Sequence, residues 1–331
     1  MRPKLLESIL LAYFYGNAPT RISVSQRCNT SVASVGKVAK ALVESKIMCE
    51  KTFSLNGSPP CPHLFIDDDA NTMLINLSSP TFHLTIFDPN AYVRFQATHN
   101  YDTSVTFDDN MNIFLSRCGL KAKQSGHPFS AIAVIYRDDY KQSYLENLDA
   151  QAILPHIANK DKISKLIYSV FHKFPTAQLT VSQAISEAMR FGITSGICGN
   201  EGVSYIFLGS RVSSFHIHKN NSVTVCAPQN ILSEHERQLL IKKRSITKDE
   251  LDSIFVKLSI FMDSAFSPSV ILLESDYQLP DDETAKRIDR AFAQNGITPP
   301  IIRFKSSEEP LCVLGAIRSS MFSIAQKHIL S

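Results

Sequence analysis

The sequence predicts an α/β protein with a small helical head and a larger body built twice over. Three observations carry that expectation. Apolar residues recur at helical spacing through three short segments before residue 45, and two strand-like runs follow. From residue 71, three strand-like runs precede an alternation of helix and strand. The same order then starts again at residue 203.

In the head, Leu5, Leu6, Ile9, Leu10 and Tyr13 predict an amphipathic helix over 4–15, which Gly16-Asn17-Ala18-Pro19 ends. Ser23-Val24-Ser25-Gln26 reads as a capping box opening a second, short helix to about Asn29. A third helix begins near Ser31. Its expected buried stripe is Val32, Val35, Val38, Ala39, Leu42 and Val43, and Ala33, Ser34, Gly36, Lys37 and Lys40 lie on the other face. Runs at 47–53 and 63–66 read as strands around a turn at 56–60.

Three helices and a hairpin are the order of a winged helix-turn-helix, whose third helix enters the major groove of double-stranded DNA. Small side chains at Ala33, Ser34 and Gly36 suit a close approach to the bases. Ser31, Ala33, Ser34 and Lys37 are the expected base contacts, with Lys40 and Lys51 on phosphates. The wing carries no Lys or Arg between Thr52 and Ile66. Charge is concentrated here: residues 1–66 hold eight Lys/Arg against three Asp/Glu, while the whole chain carries only +3. A basic head on a near-neutral body suits a polyanion-binding module.

In the body, a strand and turn are expected at 71–79, strands at 81–87 and 92–98, a helix at 106–118, a buried strand at 129–136, a helix at 159–173, a strand at 177–181 and a helix at 184–190. The second half is expected to place strands at 203–208, 211–218 and 222–226, helices near 233–242 and 247–265, a strand at 270–274, a helix at 281–294, a strand at 300–304 and a last helix at 311–328. That duplicated order is the plan of the two-lobed actin-like ATPase, or sugar-kinase-type, ribonuclease H-like fold. The expected division is a winged helix at 1–70, a first lobe at 71–185 with the helix at 311–331 packed back on it, and a second, dimerising lobe at 186–310.

A winged helix joined to this body resembles the ROK family (repressors, open reading frames, sugar kinases) in its regulator branch. The resemblance implies a transcriptional regulator acting as a repressor, a homodimer or homotetramer, and a cleft for a sugar-like effector. The family kinases open with an Asp-x-Gly-Gly-Thr phosphate loop. The matching stretch here is Asn76-Leu77-Ser78-Ser79-Pro80, with neither the acid nor the glycines. Gln183 falls at the place of the catalytic Asp, within Val181-Ser182-Gln183-Ala184, and Glu187 is the nearest acid. An amide is no useful proton acceptor near neutral pH. The second phosphate loop reads Gly209-Ser210-Arg211-Val212-Ser213, with Arg211 in its turn, and the family's zinc cysteines have no counterpart. The expectation is therefore no kinase activity, no cofactor and no metal. The expected effector cleft would use Asp138, Asp139, Gln183 and Glu187. A divergent sugar kinase and a winged-helix scaffold for a protein partner are the alternatives.

Other features read as structural. Cys198-Gly199-Asn200-Glu201-Gly202 reads as a turn, Lys242-Lys243-Arg244 as a solvated helix end, and His216 and His218 as a strand pair lacking a third ligand. Composition is that of an ordinary globular chain, with 331 residues, 44% apolar and 20% charged, which excludes a disordered tail, collagen or a coiled-coil rod. No run reaches the ~18 apolar residues that span a bilayer. The opening MRPKLLESILLAYF imitates a signal peptide only until Glu7 interrupts it. Seven cysteines without disulfide-type spacing point to reduced thiols and a cytoplasmic protein.

Overall fold

The structure, a computed structural model, describes residues 3–15, 19–54, 59–78, 81–89, 91–102, 104–136, 160–190, 202–208, 212–218, 223–226, 231–241, 246–275, 277, 280–304 and 311–330. The chain divides into two compact units. One comprises Met1–Ile193 with Glu309–Ser331, and the other Thr194–Glu308.

The first unit opens with helices α1 (Pro3–Tyr15), α2 (Arg21–Arg27) and α3 (Val32–Glu44) and the hairpin β1 (Met48–Phe53) and β2 (Cys61–Ile66). Helix α2 starts earlier than expected. Thr20 is its N-cap, and Ser23 is the reciprocating third residue rather than the cap itself. The α2–α3 turn passes through Asn29 at φ 47°, a left-handed conformation that asparagine tolerates. The hairpin is antiparallel, pairing Met48 with Ile66 through to Phe53 with Cys61.

The body of this unit contains β3 (Thr72–Asn76), β4 (Thr81–Phe87), β5 (Val93–Asn100), α4 (Phe107–Gln124), β6 (Ala131–Tyr136), α5 (Lys160–Phe171), β7 (Ala177–Thr180) and α6 (Val181–Arg190). The sheet order is β5-β4-β3-β6-β7. Strands β3, β4 and β5 form an antiparallel meander, and β6 and β7 add on in parallel with β3. Helix α4 runs six residues past its expected end. Gly119 sits inside it, where an added Cβ would lie 3.0 Å from the Phe171 ring.

The second unit repeats the plan with β8 (Val203–Leu208), β9 (Val212–Ile217), β10 (Val223–Cys226), α7 (Glu234–Ile241), α8 (Lys248–Phe266), β11 (Val270–Ser275), α9 (Asp282–Gln294) and β12 (Ile301–Phe304). Its order, β10-β9-β8-β11-β12, is the first sheet's order over again. The expected duplication is therefore present strand for strand. Ile206, Leu208, Ile271 and Leu273 on one sheet face join Ile254, Phe255 and Leu258 of α8 and Ile288 and Phe292 of α9 in its core.

The last helix, α10 (Leu311–Leu330), belongs to the first unit. Period-two alternation sorts the first sheet's central strands between two cores. Met73, Ile75, Ile132 and Val134 face Met111, Phe114, Ile163 and Ile167 of α4 and α5. Leu74, Ala133 and Ile135 join Val313, Ile317 and Met321 of α10 in a core that also contains Leu6, Ile9, Val38 and Leu42 of the head. The chain-path boundary at residue 70 thus falls inside one continuous core. At the α10–α6 crossing, a Cβ on Gly315 would lie 1.8 Å from the Ala184 carbonyl oxygen.

In the second unit, His216 is buried and stacks on Phe266 with centroids 4.6 Å apart, and its Nδ1 lies 3.1 Å from Ser204 Oγ. His218 lies edge-on to it at 4.6 Å and is bonded to Thr224 Oγ1 at 2.8 Å. Burial, and next electrostatic repulsion from the neighbouring His218 ring, push the His216 pKa below its ordinary value of 6.5. The unfolded chain therefore binds this proton first as pH falls. Stability is expected to drop as pH decreases from 6.5 towards the lower folded-state value, and His216→Gln to flatten that drop. Thermal melts between pH 7.5 and 5 check this, and an unchanged pH slope in the variant would sink it.

Candidate nucleic-acid interface and the carboxyl edge of the first sheet

The head places α3 with one side on the core and one side in solvent. Val35, Val38, Ala39 and Leu42 are buried, as the stripe requires. Val32 is a correction: it is 46% exposed, because it occupies the first turn, beyond the last packed residue. Ser31 is the N-cap. Its Oγ accepts from Ser34 N at 3.2 Å and donates to Ser34 Oγ at 3.0 Å. Both serines therefore first organise the end of the helix, the end that a groove-bound recognition helix presents to bases.

Ala33, Lys37 and Lys40 are exposed and share a face with Gly36, where an added Cβ would meet nothing within 4 Å. Lys37 has no ion-pair partner among the described residues. Lys40 lies 3.7 Å from Glu44, and both side chains are mostly exposed, so water and salt screen the pair. Lys51, on β1, lies 3.9 Å from Asp68 and 5.6 Å from the centre of the Phe65 ring. Its charge is thus partly answered within the hairpin. Arg21, though basic and in the head, bonds Glu50 at 2.8 Å and ties α2 to β1. Burial raises the Tyr13 phenol far above its usual value and pushes the Cys28 thiol up, so neither ionises near neutral pH.

The exposed side chain that sequence reasoning misplaced is Val32. It directly follows the Ser31 cap, in the first turn of α3. The assignment of Ser31 as N-cap was the available signal, since it puts residue 32 in the first turn.

In the body, parallel pairing aligns the carboxyl ends of β3, β6 and β7, the edge where α/β folds bind ligands. The Asn76 carboxamide oxygen accepts from Ser78 N at 3.0 Å and Ser78 Oγ at 2.7 Å, closing a local turn. Gln183 forms a capping box with Thr180. Its Oε1 accepts from Thr180 N at 2.9 Å, and its own N–H donates to Thr180 Oγ1 at 3.3 Å. Tyr136 is buried and donates to Gln178 Oε1 at 3.0 Å. Glu187 lies one turn further along α6, half-buried. Asn76, Ser78 and Gln183 are thus brought to one sheet edge. Ser79, Asp138, Asp139 and Arg211 lie outside the described residues, as do the loop at 198–201 and the run at 242–244.

No group of three or more His, Cys, Asp or Glu able to hold a metal occurs among the described residues. The six described cysteines form no disulfide with one another. No described helix is long and apolar enough to cross a membrane.

No protein-family model matches the chain, and no curated protein matches it. Solved structures do. A ROK family transcriptional regulator, a homologue of the E. coli MLC protein, is 10% identical over 99% of this chain and 100% of its own, with a TM-score of 0.66. The Lmo2764 protein of Listeria monocytogenes is 9% identical over 78% of this chain and 99% of its own, with a TM-score of 0.51. The inorganic polyphosphate/ATP-glucomannokinase of Arthrobacter sp. strain KM is 15% identical over 78% and 99%, with a TM-score of 0.50. By fold, from head to last helix, this chain is similar to a ROK family transcriptional regulator.

Proposed function

We propose that this chain is a ROK-type transcriptional repressor that binds double-stranded DNA through α3 as a homodimer or homotetramer. The observation that carries the reading is the open face of α3: Ala33, Gly36, Lys37 and Lys40 beside the Ser31 cap, small at the groove end and cationic behind it. The coverages agree in size. The regulator is similar over 99% of the chain and the glucomannokinase over 78%, a difference about as long as the 1–70 head. Two-fold pairing of chains through the second unit would place two recognition helices on a symmetric operator.

In this reading the body transfers no phosphate. Asn76 and Gln183 stand where the family kinases use acids, and their amide oxygens are taken up by a turn and a helix cap. Gln183 and Glu187, with Asp138 and Asp139, are the groups we assign to a sugar-like effector. The likeness to the glucomannokinase is what favours a kinase instead. Magnesium-dependent ATP turnover with a hexose acceptor would decide for that reading.

The test of the main reading is selection from random duplex DNA at fixed salt. A two-fold symmetric motif is the expected outcome, and no enriched motif overturns the proposal. On the selected site, Lys37→Ala is expected to cost about 1–3 kcal/mol and relax the preference at one base pair. Lys40→Ala is expected to weaken all sequences alike and lower the salt slope by about 0.9. Anisotropy titrations at several salt concentrations separate the two, and equal effects on specific and random DNA in both variants would remove Lys37 from the bases.

A further inference from the structure

Arg318 of α10 is a half-buried cation with no ion-pair partner among the described residues. Its Nη1 is closed off from solvent and has no hydrogen-bond partner. Burial pulls the guanidinium pKa down to about 10, which leaves it charged at neutral pH. Folds tend to pair or coordinate charges drawn out of water, because leaving one of their polar atoms closed off without a partner is destabilising. The helix repeat fixes where this one sits. One turn before it, Gly315 lies against Ala184 and Ala188 of α6. One turn after it, the Phe322 ring lies 6.0 Å from Phe14 of α1. The face of α10 carrying Arg318 thus joins a body helix to the first helix of the head. On another side of α10, Ser320 lies 3.3 Å from Thr72 of β3, so the sheet is engaged elsewhere.

We propose that Arg318 seats a small oxyanion, a carboxylate or a phosphate, at the seam of α10, α6 and α1. The planar guanidinium fork matches either group in a bidentate pair. The anion supplies the missing counter-charge and fastens the head to the first α/β layer.

Thermal melts of the full chain at constant ionic strength test this, with sodium chloride exchanged for inorganic phosphate or for acetate. Wild type is expected to gain about 4 °C or more at saturation with at least one of the two. Arg318→Met removes the unpaired charge, so it should melt higher than wild type in chloride and lose that gain. Arg318→Lys keeps a charge without the fork and should retain at most half of it. A gain with phosphate alone assigns a phosphate ligand, and with acetate alone a carboxylate. A full gain in either variant, or none in wild type with either anion, overturns the proposal.

Discussion

Gly36→Ala is expected to make the protein more stable and, under the proposed function, its DNA binding weaker. Glycine inside a helix is less favourable than alanine by about 0.5–1 kcal/mol, because the unfolded chain loses more freedom on folding. Here nothing lies within 4 Å of the site an added Cβ would take, and the backbone is helical. The substitution is therefore free of clash, and the melting temperature should rise by about 1–4 °C. No packing among the described residues requires a glycine at this position. The remaining need is close approach of something outside, and Gly36 lies on the face of Ala33, Lys37 and Lys40. A methyl group inserted there should hold α3 off the groove and lower affinity roughly tenfold or more, about 1.4 kcal/mol. Calorimetry and anisotropy on the same preparation read both signs. Unchanged affinity would show that the groove does not come close to residue 36.

Gly315→Ala is expected to act in the opposite direction. Both glycines lie within helices, and only the surroundings differ. The alanine Cβ would lie 1.8 Å from the Ala184 carbonyl oxygen and 2.8 Å from Ala188 N, both backbone atoms of α6. Backbone cannot swing aside as a side-chain tip can, so the two helices must separate. Overpacking of this kind costs about 1–3 kcal/mol and more where the backbone is the obstacle. A loss of about 3 kcal/mol lowers the melting temperature by roughly 6–12 °C. The damage should reach the head, because α10 shares a core with Leu6, Ile9, Val38 and Leu42. Hydrogen exchange should rise in α1 and α3 as well as in α6 and α10. A variant melting within a degree of wild type would mean that the crossing is looser than the structure has it.

Much of this architecture is local and therefore readable along the chain. The α3 stripe, the all-apolar run 131–135 and the repeated strand order follow from side-chain periods of 3.6 and 2, which need no knowledge of partners. Amphipathic segments such as 282–294 also carry their own caps, here Asp281 and Thr284. Local signals fail where two short-range solutions compete. Ser23 reads as a cap as well as Thr20 does, and the choice goes to Thr20, whose residue also bridges to His63 of β2. Val32 fits the buried stripe by period, and only the absence of anything packed over the first turn leaves it exposed.

By itself, then, the sequence determined which segments are helix or strand, that the body is a plan used twice, and that one face of the third helix is small and basic. These are properties of neighbours in the chain, set by backbone geometry and the pattern of apolar residues. The tertiary structure alone decided that head and first α/β layer share one core, that Gly315 is required and Gly36 is free, and that Gln183 serves a helix cap. It also decided that Arg318 stands half-buried, with its Nη1 closed off and lacking a hydrogen-bond partner. Each of these depends on which residues meet across long separations, and the same glycine, glutamine or arginine has a different energy in each setting.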